Sequence, residues 1–146
     1  MSEHIPKRLR EAIERRAGRR CEYCLCPLDI TTDPFAIEYI LPVIRGGRTV
    51  SGNLALSCST CNGHKYSHIQ GYDSVSGQSV PLYHPRLHHW TEHFTWDADP
   101  IRLVGLSPIG RATIETLHLN RQRVVNLRHV LFLVGIHPPA NTENLD

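Results

Sequence analysis

The sequence lacks any apolar run able to cross a bilayer: its longest, Val130 to Val134, falls far short of the roughly 20 residues a spanning helix needs. It also lacks a charged start followed by an apolar stretch, so no secretory leader is expected. No internal repeat is visible, and the net charge is only +2. A cytoplasmic location is the expectation. With 40% apolar and 21% charged residues, disorder is excluded, and 146 residues argue for one compact domain. What stands out is ten histidines and five cysteines, more than packing alone requires.

The small net charge hides an asymmetry. Lys7, Arg8, Arg10, Arg15, Arg16, Arg19 and Arg20 face three acidic groups in residues 1–20, a local +4 that leaves −2 on the other 126 residues. A basic arm on a balanced chain points to a polyanionic partner. A solvated helix face, with Glu11 and Arg15 at i,i+4, is the alternative.

Along the chain, Pro6 suits a helix start, Leu9, Ile13 and Ala17 share one side, and Gly18 stops it. Phe35 to Leu41 reads as a strand, 44–52 as a loop bending at Gly46–Gly47, and Leu54 to Leu56 as a return strand. A helix is predicted from Asn62 to about Gln70, then a loop over 71–77 and an extended segment over 81–83. The stretch 84–93 is histidine-rich and ends in a helix. Phe94–Trp96 and Ile101–Val104 bracket a hairpin turn at 97–100. Ser107–Pro108 opens a helix to about Leu119, and a further helix follows.

Cys21-x2-Cys24 and Cys58-x2-Cys61 form two knuckles with 33 residues between them. Each places two thiolates on one side of a tight turn, and two turns complete a tetrahedral sulfur shell for structural Zn²⁺. A disulfide framework is the alternative, but nothing indicates an oxidising compartment. A redox C-x-x-C is not expected twice around one insert. Cys26 is left over as a free thiol.

Between the knuckles run Ile37–Glu38–Tyr39–Ile40–Leu41–Pro42, Gly46–Gly47 and Asn53–Leu54–Ala55–Leu56. The second knuckle leads directly into Asn62–Gly63–His64–Lys65. This order resembles the HNH endonuclease family, and Tyr83–His84–Pro85–Arg86, Trp90, His93–Phe94 and Gly110–Arg111 resemble the C-terminal half of a bacterial subgroup of it. The resemblance spans about residues 6–139. It implies an α+β fold: a ββα-metal (His-Me finger) element braced by the four-cysteine zinc site, with a helical C-terminal extension. The expected organisation is a basic helix over 1–20, the zinc-braced element over 21–71, an extension of the same unit over 72–137, and a tail over 138–146.

The resemblance also implies roles. Glu38 and Asn62 match the ligands of a catalytic Mg²⁺ or Mn²⁺, and Asn53 matches the amide that orients the catalytic base. Tyr39 stands where the family carries its histidine base. A phenol with a pKa near 10 is a poor base at neutral pH. His64 is the first candidate to replace it, followed by His68, four residues on, or a histidine of the 84–93 cluster. Candidate nucleic-acid contacts are Arg15, Arg16, Arg19, Arg20, Arg45, Arg48, Lys65 and Arg86, with Trp90 either stacking on a base or buried as core. The implied function is a metal-dependent endonuclease or nickase acting on DNA, with RNA as the other candidate substrate. The alternative is an HNH-fold zinc protein that binds nucleic acid without cutting it. No membrane partner is expected, and no protein partner can be read from the sequence.

Overall fold

The computed structural model describes residues 4–139 and divides into two compact units, Met1–Ile69 and Gln70–Asp146. The expected tail lies outside the described residues from position 140 onward. Among the described residues no helix is long and apolar enough to cross a membrane.

In the first unit, helix α1 (Lys7–Arg16) starts after Pro6, whose carbonyl accepts from the Arg10 N–H. It ends where Gly18 and Arg19 turn left-handed, with Arg15 and Arg16 placed favourably at the negative end of the helix dipole. Strands β1 (Phe35–Tyr39) and β2 (Leu54–Cys58) pair antiparallel, with Ile37 opposite Leu56 and Glu38 opposite Ala55. Alternation along β1 sends Phe35, Ile37 and Tyr39 to one face and Glu38 to the other. Ile37, Leu54 and Leu56 meet Ile13 and Ala17 of the α1 segment in the core, with Phe35 and Tyr39 packed at its margin. Helix α2 (Ser59–Lys65) is shorter than the predicted 62–70. The chain turns left-handed at Tyr66, so His68 is not on the helix and does not share a face with His64.

The loop between the strands is held by two devices. Gly46 takes a positive φ, and a Cβ at Gly47 would stand 1.7 Å from the Leu41 carbonyl oxygen. Asn53 then closes the loop: its Oδ1 accepts from the Leu41 N–H at 2.8 Å, and its Nδ2 donates to the carbonyls of Leu41 and Arg48 at 3.0 Å each.

Among its described residues the second unit contains three helices and two hairpins. Residues 71–77, expected as a loop, instead begin in strand β3 (Gln70–Asp73), which pairs with β4 (Gln78–Pro81). The turn is built by Asp73, whose carboxylate accepts from the N–H groups of Val75 and Ser76, and by Gly77 at positive φ. Short helix α3 (Trp90–His93) runs into β5 (Phe94–Trp96), which pairs with β6 (Leu103–Gly105). Helix α4 (Pro108–Leu117) has the predicted start, with Ser107 Oγ accepting from the Gly110 N–H, and α5 (Gln122–Leu133) follows. Trp90 is core: it is buried against Phe94 and Trp96.

A buried ion pair ties this unit together. Arg111 donates from Nε and Nη2 to the two carboxylate oxygens of the fully buried Asp73, at 2.9 and 3.0 Å. These bonds, with those from the 75–76 turn, hold the Asp73 carboxyl well below its ordinary value of 3.8. A depressed carboxyl adds stability above its unfolded pKa and loses it as pH falls toward the folded value. The urea midpoint of this unit, read from Trp90 and Trp96 fluorescence, is therefore expected to fall below about pH 4. In Asp73→Asn the midpoint should already be low at pH 6 and its acid dependence flatter. An unchanged slope in that variant would remove Asp73 as the cause.

Candidate metal and phosphodiester site

The first knuckle is a tight turn closed by a bridge between Arg20 and Pro27, with Leu25 left-handed and its N–H bonded to the Cys21 carbonyl at 2.9 Å. The second lies where β2 passes into α2, with Cys58 Sγ accepting from the Cys61 N–H at 3.4 Å. Strand pairing brings the two turns together, and the Sγ atoms of Cys21, Cys24, Cys58 and Cys61 all lie within 4.8 Å of one another. Zn–S bonds of about 2.3 Å in a tetrahedron put sulfurs about 3.8 Å apart. Cys24 and Cys58 are separated by 3.8 Å. Hydrogen bonds from neighbouring thiols hold Cys24 and Cys58 well below the ordinary thiol range; burial pushes Cys21 up, and its hydrogen bond with Cys61 raises Cys61. The donor set and spacing can bind zinc. Cys26, also buried, stands beside the four with its Sγ 3.3 Å from Cys24 Sγ.

On the α2 side of β1, Glu38 is only 4% exposed. Its Oε1 accepts a short hydrogen bond from the Tyr23 hydroxyl, and its Oε2 pairs with Lys65 Nζ at 3.3 Å. Lys65 also donates to the Ile40 carbonyl at 2.9 Å. Burial raises the Glu38 carboxyl above its ordinary value, and the Lys65 charge opposes that rise. Burial, then the Glu38 charge, push the Tyr23 phenol up. Tyr23 was not singled out from the sequence. The available signal was a large aromatic inside a C-x2-C turn, where exposed small or polar residues ordinarily suffice. Its neighbour Glu22 was missed as well; its Oε2 accepts from the Leu56 N–H at 2.9 Å and fastens the first knuckle to β2.

Glu38, Tyr39 and Asn62 line one cleft of about 380 Å³, together with Ile37, Pro42, Val43, Ile44 and Tyr66. The expected ligand pair and the substituted base position thus border one cleft, with Glu38 and Tyr39 leaving β1 on opposite faces. Oxygen donors from a carboxylate and an amide suit a hard divalent ion that keeps several waters. The Tyr39 hydroxyl shares a hydrogen bond with Thr49 Oγ1 at 2.9 Å.

The other residues singled out from the sequence have these places and partners. The Asn53 amide bonds the backbone of Leu41 and Arg48 and not the side chain of residue 39. His64 is not among the residues lining the cleft. His68 does not line it either. Lys65 is not a surface contact for phosphate, being 2% exposed and paired with Glu38. Arg16 donates to Ser51 and to the Leu54 carbonyl, Arg19 pairs with Asp29 and Glu14, and Arg20 donates to the Leu25 carbonyl. These three brace the fold. Arg45 donates to the Ser67 carbonyl, while Arg15 and Arg48 are exposed with no side-chain partner among the described residues.

In the second unit, the Nδ1 atoms of His84 and His88 accept backbone N–H groups, from Arg86 and Leu87 and from His84 respectively. His93 Nδ1 bonds Ser107 Oγ at 2.6 Å. These histidines staple a turn, and half-buried Arg86 lies inside it. Among the described residues the four cysteines are the one grouping of metal-ligating side chains.

Comparison with known proteins matches residues 21–68 to the HNH endonuclease family. The chain is also 27% identical over 139 residues to the Septu protein PtuB of Bacillus thuringiensis, a match covering 92% of this chain and 49% of that protein. The chain spans about half the length of that relative. No solved structure matches.

Proposed function

We infer that this chain, which carries an HNH endonuclease domain at residues 21–68, is a metal-dependent nuclease that hydrolyses DNA phosphodiester bonds at the Glu38–Asn62 cleft. The observation that carries this reading is the convergence of Glu38, Asn62 and Tyr39 on one cleft inside the matched segment. Glu38 and Asn62 would hold Mg²⁺ or Mn²⁺, which when bound clamps a phosphate and stabilises the leaving oxygen. Tyr23 and Lys65 each hold one oxygen of the Glu38 carboxylate, and the Lys65 charge favours its ionised form, so a bound ion would share those oxygens. Zn²⁺ in the four cysteines would hold β2, α2 and the first knuckle in register, so that β1 and α2 face each other across the cleft. Tyr39 supplies a hydroxyl able to donate to a phosphate oxygen but no neutral-pH base, so water is deprotonated slowly.

Purified protein is expected to nick plasmid DNA with Mg²⁺ or Mn²⁺, and Glu38→Ala is expected to abolish the nicking while leaving zinc content unchanged. A second reading, nucleic-acid binding without cleavage, is favoured by one fact: no histidine lines the cleft. Absence of nicking with every divalent ion tried, alongside retained DNA binding, would establish that reading instead.

A further inference from the structure

A second cleft adjoins the first and shares Ile37 and Tyr39 with it. It measures about 750 Å³ and is lined by His4, Ile5, Lys7 and Arg10 on one wall and by Phe35, Ala36, Ile37 and Tyr39 of β1 on the other. Lys7 and Arg10 are three residues apart and fall on one face of α1, about one turn from each other. Arg10 has no side-chain partner among the described residues, and Lys7 meets only Glu11, at 3.8 Å and with 90% of its side chain exposed. Such an ion pair restrains Lys7 little. These are different cations from the arginines that brace the fold. Opposite them, Phe35 and Tyr39 are half-buried, their inner edges packed on the core and the rest turned to the cleft.

We propose that the cleft between α1 and β1 is the track for a single polynucleotide strand, with Lys7 and Arg10 holding its phosphates and Phe35 stacking on a base, leading to the reacting phosphate beside Tyr39. The proposal rests on the nuclease reading for its end point. A positively charged groove combined with an aromatic platform is how single strands are held without reading sequence. The shared residue matters: a strand laid along Phe35, Ile37 and Tyr39 arrives at the Glu38–Asn62 cleft without leaving β1.

The test uses the full chain with its zinc and a fluorescent single strand of about 20 nucleotides, long enough to span one site. Binding is followed by anisotropy across a salt series, with no added divalent ion. Lys7→Gln/Arg10→Gln is expected to weaken binding about tenfold at low salt and to reduce the log–log salt slope by about 1.4, two phosphate contacts at about 0.7 each. Phe35→Leu, which keeps an apolar side chain on the core, should weaken binding about fivefold or more with the slope unchanged. Arg8→Gln/Arg123→Gln removes the same charge elsewhere and should cost far less. Equal losses from the two charge pairs would overturn the track in favour of diffuse attraction. So would duplex binding as tight as single-strand binding and blind to Phe35→Leu. Competition by polyglutamate at matched charge would assign the groove to acidic peptides and overturn it as well. Wild-type protein that neither binds nor nicks would remove the nuclease reading itself. Nicking that survives Lys7→Gln/Arg10→Gln with unchanged KM would remove the track alone.

Discussion

Tyr39→His is expected to raise the rate of metal-dependent DNA nicking by about 10²-fold, the lower end of the 10²–10⁴ range for a positioned general base. An imidazole titrates near 6.5 and a phenol near 10, so at neutral pH only the former is both mostly unprotonated and basic enough to accept the proton of water. The gain stays at the lower end because Asn53 bonds the loop backbone and leaves a ring at position 39 without an amide partner. The pH profiles should separate the two proteins. Wild-type nicking should climb steadily through neutrality, since no imidazole lines the cleft. The variant should level off above about pH 6.5, as its base becomes fully unprotonated. Loss of activity in Tyr39→His, with folding and zinc intact, would mean that the phenol itself takes part.

Removing zinc is expected to unfold the first unit. Its apolar core is small, centred on Ile13, Ala17, Ile37, Leu54 and Leu56, and the 33 residues between the knuckles contain one five-residue strand and most of another. The rest of that insert is loop and short helical turns, anchored at its ends by the cysteines. Structural zinc contributes about 10–16 kcal/mol in small domains, more than a domain's usual net stability of about 5–15 kcal/mol can lose and survive. A strong chelator, or Cys58→Ser, should therefore abolish amide-exchange protection in α1, β1, β2 and α2. Metal analysis of the purified protein should find one zinc per chain. Full protection in demonstrably zinc-free protein would contradict the assignment. Affinity should fall with acidification, because the ligands must be thiolates. The effect of Cys26→Ala should be small by comparison, since Cys26 stands outside the group of four sulfurs that lie within 4.8 Å of one another.

Local signals account for what was legible. The N-cap and proline at 107–108, the paired knuckles, the Gly46–Gly47 bend and the two central strands each rest on residues adjacent in sequence, and each is found. The β3–β4 hairpin was missed because its strands are short and polar. Asp73 supplies its turn through side-chain bonds that composition does not display. The length of α2 was overestimated because nothing in Lys65–Tyr66–Ser67 marks a stop; the chain ends the helix at positive φ on Tyr66, where a glycine would ordinarily give the signal.

Residue type and spacing along the chain were enough to specify the sulfur shell, while Glu38, Asn62 and Tyr39 were singled out by the resemblance to the HNH pattern. Which charges are available to a partner depended on folding in three dimensions. Lys65, Arg16, Arg19 and Arg20 look like surface cations in one dimension but are spent on Glu38, on backbone carbonyls and on Asp29. A long cation's role is set by whichever acceptor the fold brings within about 3 Å, and sequence spacing does not encode that distance. The same physics turned Asn53 from an expected orienter of residue 39 into the clasp of a loop, and left Lys7 and Arg10 as the cations facing a cleft.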